Sequence, residues 1–151
     1  MDDRRWGITI AATVAVLFGL LTVFAGGRAL FGDAEARAAV GDAVPFVLWF
    51  NFLAGFAYVV AGTGLFLRRR WAVGLSIAIL IATILVMIAF GVHLIVGGAY
   101  EMRTVAAMSL RTVIWGAISG VAIREANDFS AIVIGDQARL LFETDKEGKT
   151  R

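Results

Sequence analysis

The sequence predicts an all-α membrane protein, an antiparallel bundle of four transmembrane helices with both termini in the cytoplasm. Three observations carry this. Of 151 residues 60% are apolar and the mean hydropathy is +0.82, well above the roughly 45–50% apolar share of soluble domains. Only 17% are charged, and these gather in short stretches between long uncharged ones, the pattern a bilayer enforces. Four of the uncharged or nearly uncharged stretches reach the ~20 residues needed to cross a ~30 Å hydrocarbon layer.

The first span is predicted from Trp6 to Ala25. It follows Arg4-Arg5 and could be taken for a signal peptide, but it exceeds the ~7–15 residues of such a core and Ala25-Gly26-Gly27 is a poor cleavage site. The arginine pair is ordinary at a membrane boundary, so the segment is read as a helix that stays. The following loop, Gly26 to Ala43, has helix-favouring content from Asp33 and should carry a short surface helix. Pro45 then suits the first turn of the second span, predicted from Val44 to Leu67, where its missing N–H costs nothing.

Only Arg68-Arg69-Arg70 separates this span from the third, Trp71 to Val96, so the two must form a tight antiparallel hairpin. The fourth runs from Thr104 to Ile123. Arg4, Arg5, Arg68 to Arg70 and Arg124 fall on one side. The other carries Arg28 and Arg37 among Asp33, Glu35 and Asp42, and the positive-inside rule therefore makes the arginine side cytoplasmic, as in a bacterial inner membrane. Trp6, Trp49 and Trp71 lie at interfacial depth. After Asn127 the composition changes. Phe129 to Phe142 reads either as a small hairpin turning at Gly135-Asp136 or as an amphipathic segment on the membrane, and Glu143 to Arg151 as a disordered end.

The net charge of +2 comes with no basic face interleaved with aromatics, so nucleic acid is not an expected partner. The absence of cysteine excludes disulfides, Fe–S clusters and thiol redox relays, and a single histidine, His93, cannot build a usual zinc site. It could serve as an axial or proton-transfer group, although a hydrogen-bonded structural role is the simpler reading. The methionines are too scattered for a soft-metal path. No nucleophile–base pair, phosphate loop or carboxylate dyad is present, and no carboxylate lies inside a span, which argues against a carboxylate-driven pump.

Arg111 stands out because it lies about seven residues inside the fourth span, where an isolated arginine costs a few kcal/mol. It either snorkels to headgroup phosphates or faces inward to a partner. Asn51, His93, Glu101 and Arg103 fall at the same depth, near the outer face, so a shared outer-leaflet polar pocket is expected, with Tyr58 beside it. Glu101 can cap the fourth helix or act as a counter-ion to Arg103 or Arg111. Asn51, Gly55, Tyr58 and Gly62 form one stripe of the second span, whose glycines would admit a neighbouring backbone. Gly116-x-x-x-Gly120 points away from Arg111 and is expected to pack against a different neighbour.

The segment Gly55-Phe56-Ala57-Tyr58-Val59-Val60-Ala61-Gly62-Thr63-Gly64-Leu65-Phe66-Leu67-Arg68-Arg69-Arg70-Trp71-Ala72 resembles the central hairpin of DoxX-like four-helix membrane proteins, in which a glycine-rich helix, a G-x-L-x-L-type run and a basic turn precede an Ala/Leu/Ile-rich helix. The resemblance implies an antiparallel bundle and, in some members, association with quinone or redox partners. It carries over no catalytic residue. The expected function is an accessory or partner-binding membrane subunit, with quinone or lipid as the candidate ligand and a membrane protein or a second copy as partner. The alternative is a small oligomeric transporter or exporter.

Overall fold

The structure is a computed structural model that describes the backbone of residues 2–38, 41 and 44–149, with side chains for 6–35, 38, 41 and 44–127. Among the described residues every regular element is helical: α1 (Asp2–Phe31), α2 (Ala34–Ala38), α3 (Pro45–Phe66), α4 (Arg70–Ile95) and α5 (Met102–Lys149). Four segments, Trp6–Phe31, Pro45–Phe66, Arg70–Ile95 and Met102–Asn127, are long and apolar enough to cross a membrane. They form a ring in which α1 packs on α3 and α5, and α4 packs on α3 and α5. Large apolar side chains such as Leu21, Phe24, Leu85 and Val113 point outward with 60–69% exposure, as expected for a surface whose solvent is hydrocarbon. Four crossings bring both ends of the membrane domain to the side of the arginine turn. The side chains of Arg4, Arg5 and Arg37 and all of Asp42, used above for orientation, lie outside the described residues.

The closest contact in the ring is a glycine seam between α1 and α3. A Cβ added at Gly19 would lie 2.9 Å from both the Gly55 carbonyl oxygen and the Val59 nitrogen; one at Gly55 would lie 2.9 Å from the Val23 nitrogen; one at Gly62, 2.9 Å from the Val16 nitrogen. Small residues at both sides of a membrane helix pair let backbones touch, and dispersion rather than water exclusion holds them. The expected role of Gly55 and Gly62 is met, and their partner is α1. On α1 the matching positions Ala12, Gly19 and Gly26 recur every seven residues, the same spacing as Gly55 and Gly62, which keeps a contact line facing along an antiparallel pair.

Gly116 and Gly120 behave otherwise. Both lie on the outer surface of α5, and a Cβ at either would meet nothing within 4 Å. No helix of this chain packs on them: the buried face of α5 runs through Met108, Arg111, Trp115, Ile118, Ser119 and Ala122, and 116 and 120 fall off that stripe, so the neighbour expected for them is not one of the chain's own described helices.

Two element boundaries also differ from expectation. α1 continues through Gly26-Gly27 to Phe31, because Gly26 leaves room for Phe52, which would lie 3.1 Å from a Cβ there, and Phe31 closes edge-on against Trp49 and Phe52, with centroids 5.9 and 5.6 Å away. At the other end α5 runs unbroken past Asn127 to Lys149, so neither a hairpin at Phe129–Phe142 nor a disordered stretch from Glu143 forms; Thr150 and Arg151 lie outside the described residues. Extending an existing helix avoids the nucleation cost, the segment from Gln137 onward is rich in helix formers, and an isolated two-stranded hairpin is marginal.

The helix ends at the two tight turns share one geometry. After α4, Gly97 adopts φ +83°, its N–H donates to Leu94 O at 3.0 Å, and the Gly98 N–H donates to His93 O at 2.9 Å, a Schellman cap. After α3 the same bonds run from Arg68 N–H to Leu65 O (2.9 Å) and Arg69 N–H to Gly64 O (2.8 Å), but the left-handed position is Arg68, φ +53°. A side chain there costs roughly 1–2 kcal/mol. Arg68→Gly should accordingly raise stability by about 1 kcal/mol, read as a higher midpoint in a detergent melt; an unchanged or lower midpoint would show that the Arg68–Glu125 pair, 3.2 Å apart and half-exposed, outweighs the strain.

Candidate functional site

The end of the bundle remote from the arginine turn contains a cleft of about 440 Å³ between α1, α3 and α5. It lies where α1 and α5, the least closely packed of the neighbouring helix pairs, diverge. Its walls are mostly apolar, including Phe18, Leu21, Val47 and Leu48, and its polar groups are Thr22, Asn51, Arg103, Thr104 and Arg111.

Arg111 is the feature that sets this cleft apart. It is only 5% exposed. Its Nη1 donates to Asn51 Oδ1 and contacts Met108 Sδ at 3.6 Å, while its Nε is buried with no hydrogen-bond partner. The guanidinium carbon lies 5.7 Å from the Phe18 ring centre and 5.9 Å from that of Tyr58, within cation–π range. Tyr58 itself is fully buried, stacked on Phe18 with centroids 5.9 Å apart and tilted on Trp115 at 4.7 Å. The inward-facing reading of Arg111 is therefore the one the fold adopts, and snorkelling is not. The local reason is helical: Met108, Arg111 and Trp115 occupy positions i−3, i and i+4 of one α5 face, and Asn51 and Tyr58 occupy the matching stripe of α3.

Of the six residues expected to share a pocket, Arg111, Asn51 and Arg103 line the cleft and Tyr58 underlies it. His93 and Glu101 are elsewhere. His93 is on α4, across the ring from α1, where Nε2 is 3.2 Å from Ala99 O and the ring is edge-on to Phe46 at 6.3 Å; it fastens the turn leaving α4. Glu101 precedes α5 and its carboxylate packs against Gly41. Both stand nearer the end of the bundle than Arg111 does: His93 is level with Phe46, five residues before Asn51 on α3, and Glu101 lies ten residues, about 15 Å at 1.5 Å per residue, ahead of Arg111. Phe18, Thr22 and Met108 were not anticipated. Met108 was accessible from its i−3 spacing to Arg111, whereas Phe18 and Thr22 enter through the α1–α3 seam. Among the described residues no group of three or more His, Cys, Asp or Glu is placed to hold a metal.

No protein-family model, curated protein or solved structure matches this chain. The site must be read from its own chemistry.

A second cleft, of about 490 Å³, lies at the opposite end, where Arg68, Arg69, Arg70 and Glu125 surround Ile8 and Leu65. Its charges stand at the solvent edge, and Arg68 already has a carboxylate. Between the two clefts the bundle is closed by Tyr58, Ala61 and Trp115, each 0% exposed.

Proposed function

We propose that this chain is an accessory integral membrane protein whose far-end cleft holds the polar head of an amphiphile, a quinone or a lipid, on its own account or on behalf of a partner subunit. The observation that carries the reading is a nearly buried arginine at the floor of an apolar cleft, oriented by Asn51 and two aromatic rings. A preformed apolar site with a few convergent polar groups is the usual form of a small-molecule site, and an arginine within a membrane helix is costly enough to require a function. The DoxX-like hairpin supports the same assignment. A transporter is less well supported: the buried hydroxyls of Ser76, Thr83 and Ser119 are spent on the carbonyls of Ala72 (2.8 Å), Ile79 (2.8 Å) and Ser76 (3.1 Å).

The test is recovery of bound amphiphiles by native mass spectrometry of the protein from its own membrane, alongside Arg111→Leu and Ala107→Trp, the latter filling the cleft from its exposed rim. Both variants should lose the bound species and, where one exists, the co-purifying partner. If melting temperature, quinone binding and partners are the same in all three proteins, the cleft is not a site.

The arginine turn and both termini are placed in the cytoplasm, with the Arg111 cleft in the outer leaflet of a bacterial inner membrane, on the charge asymmetry of the loops. Single cysteines at Arg69 and Glu35, the only thiols in the protein, should label from opposite faces, Glu35 from outside. The reversed pattern would overturn the orientation.

A further inference from the structure

Among the described residues Arg111 is a charge without a counter-charge. It makes no ion pair with any described residue, and Nη1 is its only nitrogen with an acceptor among them, one of whose two partners is a thioether. A guanidinium carries five N–H donors in a planar fork, and Asn51 and Met108 engage one arm of it. The two rings flanking it at 5.7 and 5.9 Å offset part of the desolvation cost but accept no conventional hydrogen bond. Removing a cation from water without an anion is among the least favourable arrangements a fold can keep.

We infer that the head group received by the cleft is an oxyanion, a carboxylate or phosphate on an apolar tail, bound by the fork of Arg111 with Arg103 at the rim. This deepens the proposed function and rests on it. A neutral quinone could accept one hydrogen bond but would leave the charge uncompensated; an oxyanion both neutralises the guanidinium and matches its paired donors. The cleft is large enough for such a head. At ~30 Å³ per water-sized group, 440 Å³ takes roughly fifteen heavy atoms. That accommodates a head group and the first methylenes of one chain, so the remaining tail lies in the bilayer beside Leu21, which lines the cleft and is 66% exposed. Thr22 and Thr104 also line the wall.

The experiment compares ligands of matched tail and different head in nanodiscs of zwitterionic lipid: palmitate and lysophosphatidic acid as anions, hexadecanol and decylubiquinone as neutral counterparts, and inorganic phosphate as a tail-free anion. Each is titrated against the wild type, Arg111→Gln, Arg111→Lys and Ala107→Trp. At least one anionic amphiphile should bind the wild type ten-fold or more tighter than hexadecanol, and which of the two is tighter distinguishes a carboxylate from a phosphate head. Arg111→Gln should reduce that ratio to within two-fold, Arg111→Lys should restore most of it, and Ala107→Trp should abolish binding of every ligand. Equal binding of neutral and anionic amphiphiles, survival of the ratio in Arg111→Gln, or full competition by inorganic phosphate overturns the inference. If neutral ligands bind equally well and Ala107→Trp still excludes them, the binding function stands and only the anionic head falls; if no amphiphile binds, or Ala107→Trp changes nothing, both fall.

Discussion

Gly55→Ala should destabilise the bundle by about 2 kcal/mol or more, although alanine is otherwise the better helix former. The added methyl would lie 2.9 Å from the Val23 nitrogen and 3.1 Å from the Gly19 carbonyl oxygen. These are backbone atoms of a straight helix and cannot rotate aside, so α1 and α3 must separate along the seam and lose contacts at Gly19, Gly26 and Gly62 together. Overpacking a close interface costs ~1–3 kcal/mol in soluble cores. Here the relative effect is larger, because lipid is as apolar as the protein and packing is most of what holds the helices. Gly116→Ala is the control: its methyl meets nothing within 4 Å and it should melt at or slightly above the wild-type temperature. Equal losses at 55 and 116 would show that the seam is not where the helices meet.

Asn51→Leu should be the more damaging half of an asymmetric pair, costing about 2–3 kcal/mol, the scale of a lost hydrogen bond to a charged group, whereas Arg111→Met should leave the ligand-free bundle as stable or more so. The first removes the oxygen that accepts from Arg111 Nη1 and leaves the cation among Phe18, Tyr58 and Met108. The second removes the buried charge itself, and replacing buried charge by a well-shaped apolar group is often stabilising. The double variant should then be more stable than Asn51→Leu alone, with a coupling above about 1 kcal/mol. Additivity within ~0.5 kcal/mol, the behaviour of independent sites, would mean the two side chains do not act on each other.

The spans were legible in the sequence because hydrocarbon permits so few alternatives: uncharged runs of this length must be helical, and three residues between two of them must form a turn. Asn51 and Arg111 were legible for a related reason, since polar groups inside a span are rare and two at one depth seek each other. Depth, however, carries no direction around the bundle axis. His93 and Glu101 belong to the same outer third as Arg111, but both stand nearer the bundle end, His93 on the helix diagonal to α1 and level with Phe46, Glu101 turned to Gly41. Spacing alone likewise does not choose a partner. Gly116-x-x-x-Gly120 has the familiar interval and faces outward, while Ala12, Gly19 and Gly26, seven apart, form the seam. The register of α1 on α3 selects between them. The continuation of α5 past Asn127 was hidden because the local sequence is compatible with more than one structure and the deciding factor is an already formed helix upstream.

The strained turn at Arg68 fixes the direction of the hairpin for the life of the protein. A glycine at that position would be easier on the backbone, but it would leave two charges rather than three at the tip. To invert, the hairpin would have to draw three guanidinium groups through hydrocarbon at roughly 2.5–3.5 kcal/mol each on the mildest insertion scale, or about 8–10 kcal/mol together. Once threaded, α3 and α4 therefore act as a one-way latch. α1 and α5 must settle around an element that cannot turn over, and the Arg111 cleft stays at the membrane face where threading put it.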